Sequence, residues 1–274
     1  ALREALTSAF VKNYLPAKTI AALPHTDPMG AKKRAEEVEG YYQSSRASFS
    51  SLLALTQPMY RLKVTATDAG DLMLAGYNKE DKSPWLWREV QPYLWQQVDG
   101  KEKLSAVIQS GQPTMLAIGF LAPVQAWNKV QPWANSSVLL PAWCIALVIL
   151  LIAVLKLPYL WFRYKKRWLQ HSGAVAELSV ACCVVAVFAG LALLDSALES
   201  IYSFEPSDLL IRSAQLLCLF AVIGIIPTCL LLKESVLASG AWLQRTQHML
   251  ILLALLFIAS YLEIYQLWSV RLYY

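Results

Sequence analysis

Two ionisable residues stand inside otherwise apolar stretches, Arg212 and Glu263. A charge held at bilayer depth is costly unless it is paired or put to work. Arg212 lies about one helical turn into its stretch, and Glu263 about a turn and a half from the end of another, so their depths nearly match. This predicts an intramembrane Arg212–Glu263 ion pair, with Asp195 as an alternative acid and snorkelling of both side chains as the other solution. Gln215, Gly224 and Pro227 in the same region read as packing and kink positions. A transport pathway would call for more buried polar residues than Arg212, Gln215 and Glu263.

Nucleophilic chemistry needs an activated side chain beside a base. No Ser-x-x-Lys, Tyr-x-Asn or Lys-Thr-Gly occurs, and His171-Ser172-Gly173 stands without partners. There is no Gly-rich phosphate loop and no His-Glu-x-x-His. The histidines His25, His171 and His248 are isolated from one another and from every cysteine. Cys144, Cys182, Cys183, Cys218 and Cys229 all fall in the apolar half, without zinc spacing or a disulfide framework. No catalytic, cofactor-binding or metal-ligating residue is therefore assigned. Asn135-Ser136-Ser137 is a formal glycosylation sequon without expected use.

The elements that carry these residues fall into two unlike parts. The average of 57% hydrophobic residues hides a polar first half and a Leu-, Ala-, Val- and Ile-rich remainder. Four membrane helices are predicted, at about 138–161, 175–194, 209–232 and 249–268, each near the roughly 20 residues a bilayer requires. Arg163, Lys165, Lys166 and Arg167 follow the first, and Lys233 and Arg245 lie between the third and fourth. The loop between the second and third carries Asp195, Glu199, Glu205 and Asp208 and no base. The excess of Lys and Arg places the two basic loops in the cytoplasm. Both ends of the chain and residues 1–135 then face outward, with Trp133, Tyr261, Tyr265, Trp268, Tyr273 and Tyr274 as an outer aromatic belt. The formal charge of +5 sits largely beside the membrane and is not a nucleic-acid footprint.

In the soluble half, Leu2, Leu6, Phe10 and Tyr14 share one helix face, and Pro16 ends it. Residues 17–30 read as a Pro-rich linker, and 31–39 as a short helix closed by Gly40. Tyr60 to Thr67 alternates apolar and polar residues, as a half-buried strand does. Strands are also predicted at 71–75, 85–90, 93–98, 104–108 and 114–118, with turns at Ala69-Gly70, Asp99-Gly100 and Ser110-Gly111. This spacing predicts an antiparallel meander closed or nearly closed into a small barrel over residues 31–135, with Ser48 to Leu55 as a short helix covering one end. Its aromatics (Tyr41, Tyr42, Tyr60, Trp85, Trp87, Tyr93 and Trp95) read as core filler ahead of a ligand-stacking surface. Lys79, Glu80, Asp81 and Lys82 form a solvated loop. The fold class is α+β: a small barrel-like soluble domain followed by a four-helix transmembrane bundle over 136–274.

Three stretches resemble the C-terminal region of membrane-anchored serine hydrolases of the class C β-lactamase and penicillin-binding-protein superfamily. Ala1-Leu2-Arg3-Glu4-Ala5-Leu6 through Phe10-Val11-Lys12-Asn13-Tyr14-Leu15-Pro16 is similar to the last helix of the hydrolase domain. Gly40-Tyr41-Tyr42-Gln43-Ser44-Ser45-Arg46 is similar to the opening of the small β domain behind it, and Trp87-Arg88-Glu89-Val90-Gln91-Pro92-Tyr93-Leu94-Trp95 to that domain's middle. The resemblance implies an exported catalytic domain upstream, on the same polypeptide, whose serine is acylated by a β-lactam, peptide or ester. None of its catalytic motifs falls in residues 1–274. The first residues, Ala1-Leu2-Arg3-Glu4, carry no Met and no export signal, so a natural protein extending N-terminally is expected. The expected function is that of an accessory β domain and bacterial inner-membrane anchor for such a hydrolase, with the bilayer and the upstream domain as partners and residues 1–135 periplasmic. The alternatives are a non-enzymatic membrane protein whose β domain binds a ligand or partner, and a small transporter.

Overall fold

A computed structural model of the chain describes residues 27–49, 52–78, 82–122, 124–164, 173–203, 205–237 and 242–268. The expected terminal helix at 1–16, most of the 17–30 linker, the charged tip at 79–81, Lys165, Lys166, Arg167, His171, Ser172, Tyr273 and Tyr274 lie outside the described residues. The chain divides into two units, 1–46 with 61–130 and 47–60 with 131–274.

The first unit is an eight-stranded barrel. Helix α1 (Pro28–Val38) is followed by β1 (Gly40–Ser44), β2 (Leu62–Ala66), β3 (Leu72–Asn78) and β4 (Pro84–Gln91). Then come β5 (Leu94–Gln97), β6 (Lys103–Gln109), β7 (Gln112–Ile118) and β8 (Trp127–Lys129). Each strand pairs antiparallel with the next, and β8 closes on β1 by pairing Tyr42 with Lys129 and Ser44 with Trp127. The period of two in the sequence becomes the barrel's inside. Leu62 and Val64, Leu72 and Leu74, and Leu116 and Ile118 alternate inward, each at most 4% exposed. Register then stacks the large residues: Leu72 opposite Trp87, Trp95 opposite Leu104, and Leu104 opposite Ile118. Eight strands enclose a space that side chains can just fill. Tyr42, Trp87 and Trp95, all fully buried, fill it here.

The turns follow their residues. Ser110 (φ 50°) and Gly111 (φ 76°) both adopt the left-handed conformation that a two-residue type I′ hairpin needs. Gly70 (φ 83°) has a second duty: a Cβ there would meet the Lys32 backbone nitrogen at 2.9 Å. The absent side chain lets α1 settle on the β2–β3 turn, with Ala31, Ala35 and Val38 buried beneath it.

Burial also pushes the Tyr42 phenol well above its ordinary value, while its hydroxyl donates to the Val38 carbonyl at 2.6 Å. The folded barrel therefore holds this proton at a pH where the unfolded chain releases it. The resulting stabilisation is complete below the phenol's free value of about 10 and is lost as pH rises beyond it. Urea titrations followed by near-UV circular dichroism at pH 8 and pH 11 should show the wild type losing its advantage over Tyr42→Phe at the higher pH.

The second unit begins with a 3₁₀ helix, η1 (Leu52–Tyr60), which lies in sequence between β1 and β2. After a single 3₁₀ turn (Pro132–Ala134) come α2 (Ser136–Tyr164) and α3 (Ala174–Tyr202). A segmented third helix follows as α4 (Asp208–Cys218), α5 (Phe220–Ile223) and α6 (Ile225–Leu237), and α7 (Trp242–Ile264) completes the unit. Four of these stretches are long and apolar enough to cross a membrane: Ser136–Pro158, Ala174–Tyr202, Asp208–Leu237 and Trp242–Ile264. Their exposed apolar side chains, among them Ile145, Ile152, Leu155 and Ile226, suit contact with lipid.

Helix bounds differ from expectation in the second, third and fourth helices, the third running on to Leu237. The second helix runs to Tyr202, because Ala197 and Ile201 continue its buried stripe past Asp195. The fourth begins at Trp242, ahead of the purely apolar run, and ends at Ile264. The third is interrupted at Leu219 and Gly224. Pro227 cannot donate to the Ile223 carbonyl, which loosens the turn around Gly224. At Gly190 a Cβ would meet the Cys218 backbone nitrogen at 2.8 Å. That glycine sets how closely α3 and α4 approach, as small residues do between membrane helices.

Candidate functional site

Three clusters concentrate the polar and unfilled features of the described residues. In the barrel unit, β4 alternates Trp87 and Glu89 inward, so a carboxylate enters the core with no exposure at all. Its oxygens accept from Arg34 Nε at 2.8 Å and Nη2 at 2.7 Å, and from the Tyr93 backbone N–H at 2.9 Å. The Glu89 bond holds the Arg34 proton still more firmly than usual. Arg34 belongs to α1, so this fork anchors the helix to the barrel. Beside it, the Tyr93 hydroxyl donates to Glu37 Oε2 at 2.7 Å, and Lys129 Nζ donates to the Glu37 carbonyl at 2.6 Å. Bonding to Glu37 raises the Tyr93 phenol, and burial lowers the Lys129 ammonium. A second fork joins Arg88 Nε and Nη2 to Asp71 at 3.1 and 2.9 Å, with Asp71 2% exposed. These are closed structural networks. The carboxylates' partners are protein groups, and the rings of Tyr42, Trp87 and Trp95 occupy the interior that eight strands enclose.

The second cluster lies among the helices. Lys156 Nζ on α2 bonds Glu177 Oε1 on α3 at 3.0 Å. His248 on α7 is 5% exposed, bonds the Leu231 carbonyl, and leaves Nδ1 without a partner. Lys156, Glu177, Gln247 and His248 line a cavity of about 20 Å³. That is room for one water with polar partners around it. The sequence does show Lys156 and Glu177 as charges near the ends of apolar runs. What it hides is that both line the same small cavity as the isolated His248.

The sequence-predicted pair occupies the opposite end of the helices. Arg212 Nη1 donates to Gln215 Oε1 at 2.8 Å, and Gln215 Nε2 donates to the Leu267 carbonyl at 2.6 Å. Gln215 thus links α4 to the turn after α7, a role beyond general packing. Glu263 and Asp195 are both exposed. The Arg212–Glu263 pair remains a proposal with a direct test. Arg212→Glu should lower thermal stability, and adding Glu263→Arg should restore it; an absence of rescue refutes the pair.

The third cluster is apolar. Tyr261 forms edge contacts with Trp143 at 4.9 Å between centroids, and its hydroxyl donates to the Leu55 carbonyl of η1 at 2.9 Å. Ser136 Oγ donates to the Pro58 carbonyl, a second tie between η1 and the helices. Tyr265 is 8% exposed, so it packs inside the unit where a place in a surface belt was expected. Between η1, α2, α3 and α7 remains a groove of about 230 Å³.

No group of three or more His, Cys, Asp or Glu able to hold a metal occurs among the described residues. The arrangement defines a closed antiparallel β-barrel joined to four candidate membrane spans. No protein-family model, curated protein or solved structure matches the chain.

Proposed function

We propose that residues 31–274 are the accessory barrel and inner-membrane anchor of a serine β-lactamase-like hydrolase whose catalytic domain precedes them on the same polypeptide. The observation that carries the reading is a barrel with Tyr42, Trp87 and Trp95 packed in its interior, followed along the chain by four candidate spans. A module of that kind supplies rigidity and attachment, and the resemblance of residues 1–16, 40–46 and 87–95 supplies the kind of enzyme attached. Arg163, Lys165, Lys166 and Arg167, set against the acidic Asp195, Glu199, Glu205 and Asp208 around the α3–α4 connection, support a cytoplasmic placement for the basic loops. The barrel then sits on the periplasmic side of a bacterial inner membrane. There it keeps a hydrolase within reach of cell-wall peptides or other periplasmic esters and amides.

The full-length protein in native membranes should be labelled by a fluorescent penicillin or fluorophosphonate, and labelling should map upstream of residue 1. Labelling of residues 1–274 alone, or none of the full-length protein, overturns the reading. The latter result would favour a non-enzymatic membrane protein whose barrel binds a partner on its outer surface.

A further inference from the structure

We propose that the groove between η1 and helices α2, α3 and α7 is a binding site for one acyl chain of a membrane phospholipid. Its walls are Leu55, Pro58 and Met59 from η1, Trp143 from α2, Leu194 from α3 and Tyr261 from α7. The two hydroxyls on these walls, Thr56 and Tyr261, already donate to the Leu53 and Leu55 carbonyls, so the rest of the surface is apolar and suits hydrocarbon. Its volume, about 230 Å³, leaves room for a length of hydrocarbon.

The occupant follows from what the groove adjoins. Its walls are segments of three of the four candidate spans, and Leu140, on the same groove, is 46% exposed on the apolar face of α2. The groove is therefore continuous with the surface that faces lipid, and the apolar liquid available to fill it is the hydrocarbon of the bilayer itself. The inner wall is beyond the reach of bulk lipid: Leu55 is 8% exposed and Leu194 7%. A chain seated in the groove would touch these residues, and a chain merely sliding over the helices would not.

A polar end is also present. Thr56, which lines the groove, lies 3.3 Å from the Tyr202 hydroxyl, and Tyr202 is 52% exposed. A glycerol ester carbonyl is an acceptor that this phenol can satisfy. η1 is what creates the site. Without the Tyr261–Leu55 and Ser136–Pro58 bonds that fix it, the same helix faces would be open to lipid along their length. The site does not depend on the hydrolase reading.

The test uses the full chain in vesicles of palmitoyl-oleoyl phosphatidylcholine doped with phosphatidylcholine carrying a diazirine on one acyl chain. After illumination, mass spectrometry should find adducts on the groove residues Leu55 and Leu194, alongside those on the exposed Leu151–Ile152. In Leu198→Trp, which fills the groove, the adducts at Leu55 and Leu194 should be lost and those at Leu151–Ile152 kept. Wild-type adducts confined to exposed positions such as Leu151 and Ile152 overturn the proposal, whether or not the variant folds. Groove adducts that persist unchanged in a folded Leu198→Trp protein also overturn it.

Discussion

Arg34→Ala is expected to destabilise the barrel by about 3–5 kcal/mol, the usual consequence of leaving a buried charge without its partner. The size of the effect comes from Glu89, which has no exposure and keeps only the Tyr93 N–H once the guanidinium is gone. Arg34 itself is 18% exposed and tolerates release far better. The asymmetry gives the prediction a second arm. Replacing both residues by apolar ones, as in Arg34→Met with Glu89→Leu, should recover most of the loss, because an apolar pair of similar volume matches or exceeds a buried ion pair. Hydrogen exchange of the β4 and β5 amides in the full chain reads both. Single and double variants with equal protection would show that the fork contributes nothing.

Trp87→Ala should cost a similar amount, about 3–5 kcal/mol. Trp87 is fully buried and pairs across the ladder with Leu72. Its Nε1 has no hydrogen-bond partner. The indole therefore contributes through volume alone, and Trp87→Phe should recover part of the loss. If Trp87→Ala leaves the exchange of β3–β5 amides unchanged, the barrel interior is not the close-packed core described here.

What the sequence made legible was whatever depended on local period. The alternation from Tyr60 to Thr67 announced a strand, which runs from Leu62 to Ala66 because Tyr60 ends the 3₁₀ helix, and the apolar runs announced four helices. Strand β1 was missed because Tyr41 and Tyr42 are adjacent rings that blur its alternation, and β8 because three residues are too few to carry a period. η1 was legible as a short helix, yet its destination was not. Nothing local says that Leu52 to Tyr60 joins the helical unit while the strands on either side join the barrel. The polar clusters were hidden for the same reason. Arg34 meets Glu89, and Lys156 meets Glu177 beside His248's cavity, through topology that brings distant positions together. Glu89 shares the inner face with Trp87 by the strand's period of two, but its partner Arg34 lies 55 positions away, which nothing local reveals.

The β1–β8 ladder has a consequence for biogenesis. It joins Tyr42 to Lys129, the first and last strands of the barrel, through a partner only three residues long. Until Lys129 has emerged, β1 and β7 are both unpaired edges, open to pairing with another chain. Closure of such distant segments is slow relative to hairpin formation. A nascent chain therefore carries a vulnerable open sheet for nearly the whole of the barrel's synthesis. The first apolar helix, beginning at Ser136, follows almost at once, so sealing of the sheet and entry of that helix into the bilayer fall together in time.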